Sequence, residues 1–477
     1  MPNTLVKNRF IRLFWVFFEK FGLVFLSIIS FLIYAKYLTP TQLGIGVLLL
    51  TVVEFISKFL IAVVDSSMIR LDAITQEQDG TAFWTLLLVS GIFSVLIFLA
   101  YYAYFDENIV ILAGLVAVFL IPLQSASRVH IVHLRRKKKF RSLANRTILG
   151  KIVGMIVGIT LAVKGYGEFA IVSQAVAMAF SSTLLLLIIE KRSLPFSFEK
   201  DWLHEQLRIG IPASLKVLNT SLYTKGTILI IEGTLGTAAV GFYNFANRLV
   251  ELPRSAIVTA LMGYANPVYS QRFHAGHDLK EFFLQSTKLG LIFIAPFFVG
   301  LAAVADELLF ILFGDKWAPS TPILIGIALL TVINLYFLFL PSVLVAYGKT
   351  KFALRGQLVS TAVALICLYF LAPKLGLLAV IVALALRVIG LSLANLTAVD
   401  RIYPNSFTAL FKVLFPSSFA SFLMFLVIYF GKPYITFTQS SLLNLLTLII
   451  VGAFIYTVAI LLMESKLIRQ LKGFISS

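Results

Sequence analysis

Residues 43–66 read LGIGVLLLTVVEFISKFLIAVVDS, twenty-four residues in which only Glu54, Lys58 and Asp65 are ionisable. As a helix this stretch rises about 36 Å, enough to cross a hydrocarbon layer about 30 Å thick. Thirteen further apolar segments of spanning length accompany it, at 13–35, 81–104, 109–127, 148–163, 168–189, 207–231, 238–264, 286–305, 319–345, 353–372, 376–398, 410–430 and 440–463. The segment at 238–264 is the most polar of them. Every connection is short, which suits helices that satisfy their own backbone hydrogen bonds in lipid.

The composition agrees. Hydrophobic residues make up 59% of the 477 and charged residues 13%, with a mean hydropathy of +0.95. A soluble domain carries about 25% charged residues, so a soluble enzyme is excluded. The chain reads as an all-α polytopic membrane protein of about fourteen transmembrane helices. Lys7, Arg9 and Arg12 before an apolar run have the look of a signal peptide. That run contains Glu19 and Lys20 and ends in Tyr34-Ala35-Lys36-Tyr37 without a small-residue cleavage site, so it reads as a retained first span.

The formal charge of +18 is unevenly distributed. The odd-numbered connections hold five cations: Lys36, Lys164, Lys316, Lys374 and Lys432. The termini and even-numbered connections hold twenty-eight, nine of them between Arg128 and Lys151. By the positive-inside rule both termini are cytoplasmic. The protein is then a multi-pass membrane protein whose cations face anionic lipid headgroups. Nucleic acid is not a partner on this reading.

Seven cations fall inside spans: Lys20, Lys58, Lys216, Lys225, Arg248, Arg254 and Arg387. Each costs roughly 2.5–3.5 kcal/mol at a helix centre. Snorkelling accommodates Arg387 and Lys225. It serves Lys20, Lys58 and Lys216 poorly, since they lie roughly 12–14 Å in from the cytoplasmic end. Facing them are Glu19, Glu54, Glu251 and Asp65, which leaves a surplus of three positive charges. Glu54 and Lys58 share a helix face at i,i+4 spacing and read as partners, whereas Lys216 and Lys225 have no acidic neighbour in sequence. The surplus points to a water-filled cavity that holds an anion, with Glu19, Glu54 and Glu251 left for charge pairing or ion coupling.

The sequence also repeats. At an offset of 197, Leu38, Gly44, Val53 and Glu54 meet Leu235, Gly241, Val250 and Glu251. At an offset of 209, Gly167 to Ile171 meets Gly376 to Val380. The repeats suggest two six-helix lobes, residues 1–197 and 198–402, followed by an accessory helix pair and tail at 403–477. Parallel repeats commonly place a binding site at their interface. Cys367 stands alone and permits no intrachain disulfide. His130 and His133 are three apart without a neighbouring carboxylate in sequence, so no metal site or cofactor is expected. The aromatic ends of the outer connection Phe313 to Trp317 read as an interfacial anchor.

Three pieces carry a resemblance: Leu235-Gly236…Val240-Gly241-Phe242-Tyr243-Asn244, then Phe313-Gly314-Asp315-Lys316-Trp317 followed by Pro322, and the turn Leu38-Thr39-Pro40…Leu43-Gly44. With these the chain resembles the polysaccharide transporter (Wzx-type) branch of the MOP superfamily, which also holds MATE exporters and lipid II flippases. The resemblance implies two lobes in a V around a central cavity and alternating access. It implies carriage of an undecaprenyl-diphosphate-linked oligosaccharide, a repeat unit of O-antigen, capsule or exopolysaccharide, to the outer leaflet. Its cavity cations would lie on the first, second, seventh and eighth spans, where this chain has Lys20, Lys58, Lys216 and Arg248; the interior charges add Lys225 and Arg254 as candidate substrate-binding cations on the same spans. Membrane lipids and a polysaccharide polymerase would be its partners. The competing readings are a MATE-type exporter, whose often cationic substrates these lysines would repel, and a membrane enzyme, for which the short external connections offer no histidine.

Overall fold

The computed structural model describes residues 2–69, 71, 73–435 and 441–464. Every regular element among them is helical. The chain divides into two compact units, Met1–Asn244 and Phe245–Ser477. The first contains α1 (Pro2–Tyr37), α2 (Pro40–Met68), α3 (Gln76–Tyr104), α4 (Asn108–Val118), α5 (Leu120–Ala126), α6 (Arg128–Arg136), α7 (Phe140–Val163), α8 (Glu168–Ile189) and α9 (Lys200–Leu235). Helix α10 (Thr237–His274) begins there and continues into the second. The second holds α11 (Leu279–Ala303), α12 (Ala305–Phe313), a 3-10 turn (Asp315–Ser320), α13 (Thr321–Tyr336) and α14 (Leu340–Ala346). It ends with α15 (Thr350–Leu375), α16 (Leu378–Asp400), α17 (Ser406–Ile435) and α18 (Ser441–Met463).

Local chemistry sets the helix ends. Thr39 caps α2 in a reciprocal box with Gln42, Thr75 does the same for α3 with Gln78, and Pro40 opens α2 where its missing N–H costs nothing. Pro122 in α5 and Pro341 in α14 cannot donate to residues 118 and 337. The helices are interrupted at those places, which separates α4 from α5 and α13 from α14.

Glycines set the closest approaches. Gly150, Gly154 and Gly158 form a stripe along α7. A Cβ at any of them would collide with Ser182, Met178 or Gln174 of α8. Small residues at such spacing let membrane helices pack backbone to backbone. A second approach joins the starts of α2 and α10. A Cβ on Gly44 would run into the Thr237 carbonyl oxygen, and one on Gly241 would come within 2.6 Å of the Pro40 carbonyl carbon. Thr237 and Gly241 are the positions that the offset of 197 pairs with Pro40 and Gly44. The contact is therefore reciprocal, as a local two-fold relation makes it.

Twelve helical segments among the described residues are long and apolar enough to cross a membrane. Helices α9 and α10, of 36 and 38 residues, are long enough but fall outside that set. They carry Lys216, Lys225, Arg248, Glu251 and Arg254. The boundaries near the basic run also differ from those expected. The span expected at 109–127 continues as helix to Arg136, and the next begins at Phe140 instead of 148. Only Lys137–Lys139 connect them, so Arg128, Arg146 and Lys151 lie on helices. The Phe313–Trp317 connection differs as well. Trp317 is fully buried and stacks on Phe245 with centroids 4.0 Å apart, which makes it a core residue of the second unit and not a surface anchor.

Candidate functional site

Helices α2 and α9 lie side by side, and their interior charges meet. Lys225 Nζ donates to Glu54 Oε2 at 2.7 Å, with the two side chains 15% and 33% exposed. Lys225 thus has an acidic partner, 171 positions away in sequence. Lys58, one turn beyond Glu54, is exposed and makes no ion pair among the described residues. The pairing expected within α2 is replaced by one across the helix pair. Pairing in this way removes the cost of holding either charge alone at membrane depth.

On α10, Arg254 grips Glu251 with two hydrogen bonds, Nε to Oε2 at 2.6 Å and Nη2 to Oε1 at 2.8 Å. This is the planar fork that a guanidinium makes with a carboxylate. Arg248 is exposed on the same helix. On α1, Glu19 is half-buried and Lys20 exposed, and Lys20 also makes no ion pair among the described residues. The Lys216 side chain lies outside the described ones. The sequence-derived cations thus divide in two. Lys225 and Arg254 are held by carboxylates, and Lys20 and Lys58 are not.

Three ion clusters at the basic end of the first unit escaped the sequence reading. Asp65 at the end of α2 takes Arg128 Nε at 2.6 Å together with Arg128 Nη2, and Arg135 Nη1 at 3.1 Å. Asp79, fully buried in the first turn of α3, takes Arg192 Nε at 2.5 Å and contacts His133 Nε2 at 2.7 Å. His133 therefore does have a carboxylate neighbour. Glu190 beyond α8 pairs with Lys137 and, at 3.6 Å, Lys139. Burial pushes the Glu190 carboxyl upward, but the two ammoniums outweigh it and hold the group below the usual carboxylate range. Asp65 and Asp79 each sit at a span end opposite a basic run, and that was the available signal. Among the described residues no group of three or more His, Cys, Asp or Glu could hold a metal ion.

The polysaccharide biosynthesis protein family matches residues 33–322, more than half of the 477. The chain belongs to that family. Among relatives, the succinoglycan biosynthesis transport protein ExoT of Rhizobium meliloti (strain 1021) is 25% identical over 489 residues, covering 98% of this chain and 96% of ExoT. Among solved structures, the lipid II flippase MurJ in an inward closed conformation superposes with a TM-score of 0.78 at 17% identity. The match covers 96% of this chain and all of MurJ. An inward-facing multidrug resistance MATE transporter of the MOP superfamily gives 0.56 at 17% identity, over 82% of this chain and 96% of that one. The resemblance to a polysaccharide transporter family read from sequence is borne out by the family match. This polysaccharide biosynthesis family member is an all-helical, multi-pass membrane protein with the fold of MurJ.

Proposed function

We propose that the protein is a flippase that carries a polyprenyl-diphosphate-linked oligosaccharide from the cytoplasmic to the outer leaflet of the bacterial inner membrane by alternating access. The observation that carries the reading is the pair of cations that make no ion pair among the described residues, Lys20 and Lys58, inside apolar spans of a polysaccharide biosynthesis family member. An unpaired cation in a span is expensive, and a diphosphate supplies the missing charge. Similarity to a succinoglycan biosynthesis transport protein along nearly the whole chain supports transport over catalysis. On this reading the chain has fourteen spans, with α9 and α10 as the polar seventh and eighth.

The division of roles follows from the pairing. Lys20, Lys58 and Lys216 receive the diphosphate on the cytoplasmic side. Lys225 and Arg254, already engaged by Glu54 and Glu251, exchange those carboxylates for phosphate only as the protein changes state, and Arg248 shares α10 with Arg254. A carboxylate released in this way is free to take up a proton or another cation. Lysine binds phosphate as a point charge, without a guanidinium's fixed geometry, which suits a group that must be let go. The test uses proteoliposomes loaded separately with a fluorescent polyprenyl-diphosphate sugar and a fluorescent cationic drug. Protein-dependent translocation of the lipid-linked sugar alone is the expected result. Movement of the drug alone would establish the MATE-type reading instead.

A further inference from the structure

A second cationic feature lies wholly within the first unit, and neither Lys20, Lys58 nor Lys225 lines it. A cavity of about 220 Å³ opens between α2, α5, α6, α7 and α8, its polar wall formed by Gln124, Ser127, Arg128, Arg146, Thr147 and Ser182. A single water needs only about 10–15 Å³ of such space. The cavity has room for a polyatomic ligand.

Its hydrogen-bonding capacity is unbalanced. Arg128 is gripped by Asp65 through Nε and Nη2. Arg146, six residues into α7, has a buried Nε without a hydrogen-bond partner, and its side chain makes no hydrogen bond among the described residues. The negative charge that acts on it comes from Glu19 of α1, which forms no hydrogen bond to it. The hydroxyls nearby are already committed: Ser182 donates to the Arg146 carbonyl at 3.4 Å, Thr183 to Leu123 at 3.1 Å and Thr147 to Leu143 at 2.7 Å. The Gln124 amide has no partner among the described residues either. What the cavity lacks is an acceptor. A buried, unsatisfied guanidinium donor is costly, and each such group in a native protein calls for a water or an ion.

We infer that this cavity is a binding site for a phosphate group, free or carried on a lipid headgroup, with Arg146 as its principal donor and Gln124 and the remaining Arg128 N–H beside it. Phosphate fits because most of its hydrogen-bonding capacity is as an acceptor and its oxygens match a guanidinium's parallel N–H pair. A carboxylate offers two oxygens to donors converging from three helices; a phosphate offers up to four. None of the cations assigned to the transported diphosphate lines this cavity, so the inference stands or falls apart from the proposed transport.

The test is a thermal-unfolding titration of the purified full-length protein in detergent, with inorganic phosphate against chloride at matched ionic strength, and with short-chain phosphatidic acid. Wild type is expected to be stabilised by at least one phosphate probe in a saturable manner. Arg146→Gln should raise the apparent dissociation constant tenfold or more, and Arg146→Lys, which keeps charge and folding, should give an intermediate value. Stabilisation by both probes identifies a site open to the free anion, and stabilisation by phosphatidic acid alone identifies a headgroup site. No shift with either probe, or equal shifts in wild type and Arg146→Gln, overturns the inference. So does a purely structural outcome, in which Glu19→Gln destabilises as much as Arg146→Gln and neither probe has an effect.

Discussion

Removing the Glu54–Lys225 contact tests whether the interior charges of α2 and α9 act as one unit. At 2.7 Å the bond is a charge-assisted one, a class worth about 1.5–3 kcal/mol net. Glu54 is 33% exposed, so water screens part of that gain and the low end of the range applies. Lys225→Met keeps the aliphatic stem and removes this bond from the carboxylate. Glu54→Gln strands the ammonium. Each single change should cost about 1.5–2 kcal/mol, and the double variant should cost clearly less than their sum, with a coupling of about 1.5 kcal/mol. The measurement is denaturant unfolding of the four purified proteins in one detergent, analysed as a double-mutant cycle. Additivity within about 0.5 kcal/mol would refute the pairing.

Three other expectations follow from particular contacts. Reporters fused after Lys139 and after Ser477 should read cytoplasmic and one near Asp315 external; a cytoplasmic signal at Asp315 would overturn the orientation and the fourteen-span count. Trp317→Ala removes a fully buried ring stacked on Phe245, so it should lower stability and protein level by about 3–5 kcal/mol of folding energy, and unchanged levels would argue against a core role. Glu190 titrates lower in the folded than in the unfolded chain. Its stabilisation is therefore present above the unfolded pKa and is lost as pH falls through the folded one. Unfolding measured against pH should be less acid-sensitive in Glu190→Gln, and an identical acid profile would contradict this.

The spans were legible because an apolar run of membrane length has few other uses in a protein. The glycines matched by the offset of 197, Gly44 and Gly241, are also where the starts of α2 and α10 touch. Pairing was not legible. Hydropathy registers a charge but not its neutraliser, so Arg128 and the residues after it looked like a loop. Their partners, Asp65 and Asp79, lie more than fifty positions upstream. The same blindness joined Glu54 to the near Lys58 instead of the distant Lys225. Sequence spacing shows which residues share a helix face, while the choice among partners belongs to helix packing.

The most direct test of anion carriage by interior cations is the rate at which Lys58→Ala, purified and reconstituted, flips a fluorescent polyprenyl-diphosphate sugar. Lys58 makes no ion pair among the described residues, so its loss should leave folding intact while removing one phosphate contact of roughly 1.5–3 kcal/mol. The account predicts a fall in rate of about tenfold or more, at normal expression and unfolding midpoint, with Lys58→Arg retaining most activity. A well-folded Lys58→Ala protein that flips the lipid-linked sugar at the full wild-type rate would contradict it.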